Sequence, residues 1–176
     1  MQILEAGAAD ADVVQSIEGA AFARKDEAAL VADLLQDPTA QPSLSLLAFV
    51  ANKPVGHVLF TQAVLAGASR PVPAAILAPL AVLPGSQRQG VGRALIEHGA
   101  SRLAASGVQL LFVLGDPAYY TRCGFEPAMP HGLRAPCAIV PEDAWMVRPL
   151  VPGVLGSVTG TIACAQSLDK PEYWRE

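Results

Sequence analysis

The sequence contains few of the residues that mark several large functional classes. Only 16% of its 176 residues are charged, 6% are aromatic, and the net charge is −4 without a basic tract. A nucleic-acid surface needs concentrated positive charge, so this composition argues against it. The longest apolar stretch, Pro71–Pro84, is interrupted by prolines and falls short of the roughly 20 residues that span a bilayer. We therefore expect neither a nucleic-acid partner nor a membrane partner.

Cysteine is also scarce. Cys123, Cys137 and Cys164 are odd in number and widely spaced, which argues against a disulfide framework and gives no metal-ligand spacing. We expect no metal, and the simplest account of three unpaired thiols is a reducing, cytoplasmic setting. No Lys or Arg precedes Arg24 and no long apolar core lies near the N-terminus, so we expect no signal peptide.

Apolar residues, at 52%, are plentiful, and 176 residues are enough for one domain with a substantial core. The hydrophobic pattern follows the order β-α-α-β-β-β-α-β-α-β, which predicts an α/β fold with a mixed sheet. We expect a single domain over 1–176, with a core at 1–130 and a C-terminal extension at 131–176 that packs on it. Pro149 should place its strand at a sheet edge. Strands are predicted at 43–50, 55–65, 74–83, 110–114, 145–150 and 159–165, and a long helix at 90–106.

The turn that follows the strand ending at Leu83 has the features of an anion site. A helix beginning at Gly90 presents backbone amides without intrahelical acceptors, at the positive end of the helix dipole. Gly90 and Gly92 have no Cβ, so an anion can approach these amides closely. Arg88 and Arg93 add positive charge that can form paired hydrogen bonds with phosphate oxygens. We predict a cradle for a pyrophosphate.

Two common phosphate motifs do not fit this turn. A Walker loop needs Lys and then Ser or Thr after its last glycine, but Arg93 and Ala94 follow Gly92. A dinucleotide fingerprint needs Gly or Ala at its sixth position, which is Leu95 when the motif starts at Gly90. The run Gln-Arg-Gln-Gly-Val-Gly instead resembles the Q/R-x-x-G-x-G/A signature of GNAT-superfamily N-acetyltransferases, which implies acetyl-CoA or coenzyme A as the ligand. The cofactor-binding residues predicted here are Gln87, Arg88, Gln89, Gly90, Val91, Gly92, Arg93 and Ala94.

The strand before the turn contains Pro79, which cannot donate to a sheet ladder and so favours an edge or a bulge. The GNAT resemblance implies that this strand bulges and splays from the next one. The pantetheine arm of the cofactor then pairs with free main-chain groups, here of Leu80, Ala81 and Val82. An amide near Leu80 is placed to hold the thioester carbonyl as it becomes an oxyanion.

A second motif begins at Tyr120 and continues through Gly124 and Phe125. It resembles the Tyr-x-x-x-Gly-Phe segment that GNAT proteins carry near the sulfur end of coenzyme A. A phenol, with a pKa of about 10, is protonated at neutral pH and can give its proton to a departing thiolate. Tyr120 is therefore the predicted general acid. The alternative is that Tyr120 only packs or forms a hydrogen bond.

The acceptor side of the site is less defined. Asp116 follows a strand and could bind the incoming amine, or it could cap the turn that begins at Pro117. The resemblance implies that the acceptor enters near Arg24, between the first two helices. His57 is either a base for the amine or a satisfied structural group, and the general base is left open.

The best interpretation is a GNAT-fold N-acetyltransferase that transfers the acetyl group of acetyl-CoA directly to a primary amine. The acceptor is an amine of a small molecule or of a protein. The alternative is a non-catalytic acyl-CoA-binding sensor or partner module that keeps the cradle without turnover. Either function is compatible with a monomer or a homodimer.

Overall fold

A computed structural model describes residues 1–22 and 26–175. Over these residues the chain forms one mixed, mostly antiparallel sheet of nine strands. The strands are β1 (Gln2–Glu5), β2 (Leu44–Val50), β3 (Lys53–Ala66), β4 (Pro73–Val82), β5 (Leu110–Leu114), β6 (Glu126–Pro127), β7 (Leu133–Arg134), β8 (Trp145–Pro149) and β9 (Gly160–Ala163). The order along the sheet is β1-β2-β3-β4-β5-β8-β6, and β9 pairs with both β3 and β7. The expected α/β fold with a mixed sheet is confirmed.

Helices cover both faces of this sheet. They are α1 (Ala11–Ala21), α2 (Asp26–Gln36), α3 (Val91–Ala105) and the short α4 (Pro117–Tyr120). Because side chains alternate along a strand, β2, β3 and β4 bury residues on both faces. Leu47, with Leu59, packs in the cluster that includes the buried residues of α1 and α2, whereas Leu46, with Val58, packs in the cluster that includes α3. The sheet therefore separates two apolar cores.

Strand β4 is bulged at its proline. Leu77 lies opposite Phe60 and Leu80 lies opposite Val58, so β4 has one more residue than β3 in this interval. Pro79, which has no amide to donate, lies in this interval. The expected bulge is confirmed.

Strands β4 and β5 separate just before the bulge. Their parallel pairing joins Ala74–Ile76 to Leu110–Phe112, and in the described part of the chain it does not continue further. On its other side β5 stays paired with β8 as far as Leu114. A gap therefore opens between Leu77–Val82 and the end of β5. The expected splay of the central strands is confirmed.

Strand β8 corrects one prediction from the sequence. It lies between β5 and β6, so it is not an edge strand. The short β6 pairs only with Met146 and Val147, and Pro149 lies beyond these pairs, opposite Leu110 of β5. The missing amide of Pro149 is tolerated because β6 ends before reaching it.

The C-terminal segment is tied to the end of α2 by Asp37. The carboxylate accepts hydrogen bonds from the amide of Thr39 at 2.8 Å and from the amide of Ser167 at 2.9 Å. Hydrogen bonds from Thr39 and Ser167 hold the pKa of the Asp37 carboxyl well below its usual range. This anchor places the last 3-10 turn, Pro171–Trp174, beside the site described below.

Gly99 lets α3 approach the sheet closely, and its replacement should be costly. A Cβ at Gly99 would overlap the ring of Phe60 on β3. We expect Gly99→Ala to lower the free energy of unfolding by about 1–3 kcal/mol, since overpacking forces neighbours to shift. Gly19→Ala is the matched control, because Gly19 is also helical but has open space around its Cα. It should stabilise by about 0.5–1 kcal/mol. Denaturant unfolding measures both, and equal stability of the two variants would contradict this packing.

Candidate active site

The turn before α3 has the backbone of an anion cradle. Gly90, at the N-cap, has φ 85° and Arg88 has φ 60°, both in the left-handed region. The first intrahelical bond runs from the Ala94 amide to the Gly90 carbonyl at 3.0 Å, so the three amides between them have no intrahelical acceptor. Arg88 and Arg93 are exposed beside these amides. The geometry suits a phosphate at the positive end of the helix dipole.

The two glutamines of the motif shape this turn. The side-chain amide of Gln87 donates to the carbonyl of Val82 at 3.1 Å, and that of Gln89 donates to the carbonyl of Gly85 at 3.0 Å. These bonds connect the end of β4 with the beginning of α3. The side-chain amides of both glutamines are thus used within the turn, whereas the first amides of α3 lack an intrahelical acceptor and Arg88 and Arg93 are exposed.

Gly92 brings the two sequence motifs together. A Cβ at this position would overlap the hydroxyl of Tyr119 and lie 3.5 Å from Leu80 Cδ2. Close packing, as well as access for a ligand, therefore requires a glycine here. The phosphate turn, the bulged strand and the tyrosine segment meet at this one point.

Tyr120 lies at the end of the gap in the sheet. Its ring packs edge-on against Tyr119 at 5.0 Å and against Phe125 at 5.5 Å between centroids. Gly115, directly after β5, has no Cβ, and a Cβ there would overlap the Tyr120 ring. The ring is thus fixed by its neighbours, as a positioned proton donor requires.

A cavity of about 700 Å³ occupies the gap on the face of the sheet that carries α1 and α2. Its walls are residues 76–80 of β4, the end of β5, Tyr120, the first turn of α2 and residues 172–175. A second cavity, of about 620 Å³, lies at the other end of β3 and β4. Neither sequence motif contributes a lining residue to that second cavity. The cavity beside Tyr120 is therefore lined by predicted site residues, namely Leu80 and Tyr120.

The two residues predicted for the acceptor have different positions. Asp116 caps α4, its Oδ1 accepting a hydrogen bond from the Ala118 amide at 2.9 Å. The carboxylate is exposed and is not among the residues that line the cavity. The capping interpretation describes what Asp116 does here. Arg24 lies outside the described residues.

His57 belongs to a buried hydrogen-bond network. Its Nδ1 lies 2.5 Å from Glu18 Oε1 and its Nε2 lies 2.8 Å from Ser45 Oγ. All three side chains are buried, so neither a substrate nor solvent reaches the imidazole directly. His57 is therefore the satisfied structural group of the two alternatives.

Cys123, in the tyrosine motif, is not an activated nucleophile. Burial raises the pKa of its thiol, and the positive charge of Arg93 only partly opposes that rise. A protonated, buried thiol reacts slowly, since the thiolate is the nucleophilic form. Cys123 is therefore poorly suited to carry a covalent acyl group.

The sequence did not indicate the acidic side of the cavity. Asp26 and Glu27, in the first turn of α2, line it together with Glu172 from the last turn of the chain. Acidic residues in a first helical turn are usually explained by the helix dipole, and Glu172 is far away in sequence. Only the folded chain brings these carboxyl groups to one cavity.

In the part of the chain that the structure describes, no three His, Cys, Asp or Glu side chains are grouped as a metal site would require. Among residues 1–22 and 26–175, no helix has the length and apolar character to cross a bilayer.

Comparison with known proteins identifies the class. Residues 44–127 match the family described as an acetyltransferase (GNAT) domain. The chain is 45% identical over 159 residues to the uncharacterized N-acetyltransferase YjhQ of Escherichia coli K12, covering 89% of this chain and 87% of that protein. It is 32% identical to the uncharacterized N-acetyltransferase YhbS of the same strain, covering 87% and 89%. The protein is an acetyltransferase.

More specifically, the chain belongs to the GNAT family, as the two sequence motifs predict. Solved structures agree. The crystal structure of YhbS from Escherichia coli in complex with CoA has a TM-score of 0.87 and 30% identity, covering 96% of this chain and 92% of that one. A GNAT acetyltransferase from Brucella melitensis in complex with acetyl-CoA has a TM-score of 0.74 and 25% identity, covering 96% and 97%.

Proposed function

We propose that this protein is an N-acetyltransferase that moves the acetyl group of acetyl-CoA directly to a primary amine. The observation that carries the proposal is the gap beside Leu77–Val82, which opens between the cradle at Gly90 and the ring of Tyr120. A pyrophosphate in the cradle places the pantetheine arm along the free edge of β4. The thioester then lies near Tyr120. The complexes of the two structural relatives with CoA and acetyl-CoA support this choice of co-substrate.

In this proposal the chain contributes to the reaction in three ways. The first amides of α3, with Arg88 and Arg93, neutralise the diphosphate. A main-chain amide near Leu80 stabilises the negative oxygen that develops when an amine attacks the thioester carbonyl. Tyr120 donates a proton to the departing sulfur. Leu80, Ala81 and Val82 act through their backbone.

The acceptor enters from the opposite side, through the cavity between α2 and residues 172–175. Trp174 and Phe22 give this entrance an apolar part, and the carboxyl groups of Asp26, Glu27 and Glu172 also line it. We propose that the whole chain acts as one domain, because strand β8 from the C-terminal part lies within the central sheet. We also propose a cytoplasmic setting, because Cys123, Cys137 and Cys164 are free thiols.

Two measurements test the proposal. Acetyl-CoA at a hundred times its Kd should add about 2.7 kcal/mol to the free energy of unfolding, which raises Tm by about 5–10 °C. Release of coenzyme A thiol with a panel of amines measures turnover. No Tm shift would refute the cofactor site. A Tm shift without thiol release from any amine would support the non-catalytic acyl-CoA-binding alternative.

A further inference from the structure

Two buried carboxyl oxygens, one of them on a residue that lines the acceptor cavity, lack a hydrogen-bond partner. Among the described residues, Glu18 Oε2 and Glu27 Oε2 are buried and accept no hydrogen bond. Native proteins satisfy nearly all buried polar atoms, so each exception needs an explanation. Glu18 is completely buried, and its other oxygen is occupied by His57. Glu27 is partly buried and lines the cavity.

The two carboxyl groups are electrostatic neighbours. Burial raises the pKa of the Glu18 carboxyl, the hydrogen bond and charge of His57 oppose that rise, and the negative charge of Glu27 adds to it. Glu27 thus lines the cavity, while Glu18, the other carboxyl group of the pair, is completely buried. A cation that reached Glu27 would relieve the repulsion between them and fill the empty acceptor position.

Other charged residues at the entrance are also mainly acidic. Asp26 and Glu172 line it, and Arg175 is the cation among its described lining residues. Burial raises the pKa of Tyr173, and the negative charges of Glu172, Asp33, Asp26 and Glu27 raise it further. Lys170 lies 5.9 Å from the centre of that ring, on its own turn of chain. The described residues that line the cavity therefore carry more negative than positive charge, which attracts cations and repels anions.

From this arrangement, and given the proposed acetyl transfer, we propose that the acceptor is a cationic alkylamine and that Glu27 receives its ammonium group and removes a proton from it. Asp26 and Glu172, at the entrance, favour a second positive charge on the acceptor.

The proposed acetyl transfer is balanced in protons and electrons. The ammonium gives one proton to the Glu27 carboxylate, and the neutral nitrogen forms a bond to the acetyl carbon. The carbon–sulfur bond breaks, the sulfur takes the proton of Tyr120, and the phenolate recovers a proton from the acylated nitrogen. The products are an amide, a thiol and one proton, which Glu27 returns to solvent. Nothing is oxidised or reduced.

Three probe amines of equal length test the substrate class. In 1-aminopentane, 1,5-diaminopentane and 5-aminopentanoate the distal group is a methyl, an ammonium and a carboxylate. We expect kcat/KM to be highest for the diamine and at least about tenfold lower for 5-aminopentanoate, because the described residues that line the entrance carry net negative charge. Equal use of the three probes would overturn the proposal. So would the failure of all three to be acetylated or to raise the Tm of the coenzyme A complex at millimolar concentration.

Glu27→Gln tests the proton acceptor. With 1,5-diaminopentane we expect kcat/KM to fall about 100-fold near neutral pH. Between about pH 7 and pH 9 the rate of the variant should climb about tenfold per pH unit, since it must await the free amine, whereas the wild-type rate stays nearly level. Tm should be unchanged or higher, since the substitution removes the negative charge that acts on the buried Glu18 carboxyl. Asp12→Asn is the control, because it removes the same charge from exposed α1 surface.

A kcat/KM within twofold of wild type, or a pH profile parallel to wild type, would overturn the role of Glu27. A large fall in Tm with a parallel pH profile would make Glu27 structural and would also overturn it. These failures are distinguishable from failure of the proposed function. Acetyl-CoA must still raise Tm in wild type and in Glu27→Gln, and loss of that shift in wild type would refute the cofactor site itself.

Discussion

Tyr120→Phe should lower kcat about 100- to 1000-fold while leaving the affinity for acetyl-CoA within twofold. The change removes only the hydroxyl, so the ring contacts with Tyr119 and Phe125 that fix its position are retained. General acid catalysis contributes about 10²- to 10⁴-fold, and a thiolate that leaves without a proton is a poorer leaving group. Steady-state thiol release gives kcat, and the Tm shift with acetyl-CoA reports binding.

Tyr119→Phe is the matched control for this experiment. The hydroxyl of Tyr119 lies against Gly92, and Tyr119 is not among the residues that line the acceptor cavity. Burial raises the pKa of this phenol, and the neighbouring Cys123 raises it further, which suits a packing role. We expect kcat to stay within about fivefold of wild type, below any loss expected for a general acid. Equal losses in the two variants, or turnover of Tyr120→Phe within twofold of wild type, would remove Tyr120 from the mechanism.

The double variant Arg88→Ala/Arg93→Ala should weaken acetyl-CoA binding about 100-fold, and each single change about tenfold. Each arginine is expected to contribute a charge-assisted hydrogen bond to the diphosphate, and tenfold in Kd corresponds to about 1.4 kcal/mol. Both side chains are exposed, so Tm without ligand should stay close to the wild-type value. Isothermal titration with acetyl-CoA gives the Kd values.

Arg102→Ala is the control for charge. Arg102 lies near the other end of α3 and pairs with Glu5 at 2.7 Å, with both side chains exposed. Its removal changes the net charge by as much as each single cradle variant does, without touching the cradle, so the Kd for acetyl-CoA should stay within twofold. Raising the salt concentration should also weaken binding more in wild type than in the double variant, because exposed charges are screened. Unchanged Kd in the double variant would contradict the cradle.

The cofactor side of the site could be predicted from the sequence because its parts are contiguous. Strand, glycine turn and helix follow one another along β4 and α3, and each has a local physical signature. Pro79 marks the bulge by its missing amide, and Gly90 marks the helix start by its backbone freedom. The second motif joins them through contacts of Gly92 and Gly115 that no spacing rule reveals.

The acceptor side could not be predicted in this way, because its walls come from opposite ends of the chain. Glu27 and Glu172 line the same cavity, and the hydrogen bond between Asp37 and the Ser167 amide holds the C-terminal turns at the end of α2. The prediction that Pro149 places its strand at a sheet edge was wrong for a similar reason. Strand β8 is covered on that side by β6, which comes from an earlier part of the chain. Local patterns do not record such long-range pairings.

The helix that begins at the cofactor turn and the helices beside the acceptor cavity lie on opposite faces of the sheet. The helix that begins at the glycine turn lies on one side of it, and α1 and α2, which flank the acceptor cavity, lie on the other. Under the proposed function, substitutions in the final turns of the chain should therefore change which acceptor is used without changing the affinity for acetyl-CoA. Among proteins that share this scaffold, we expect the tail to diversify and the glycine turn to stay fixed.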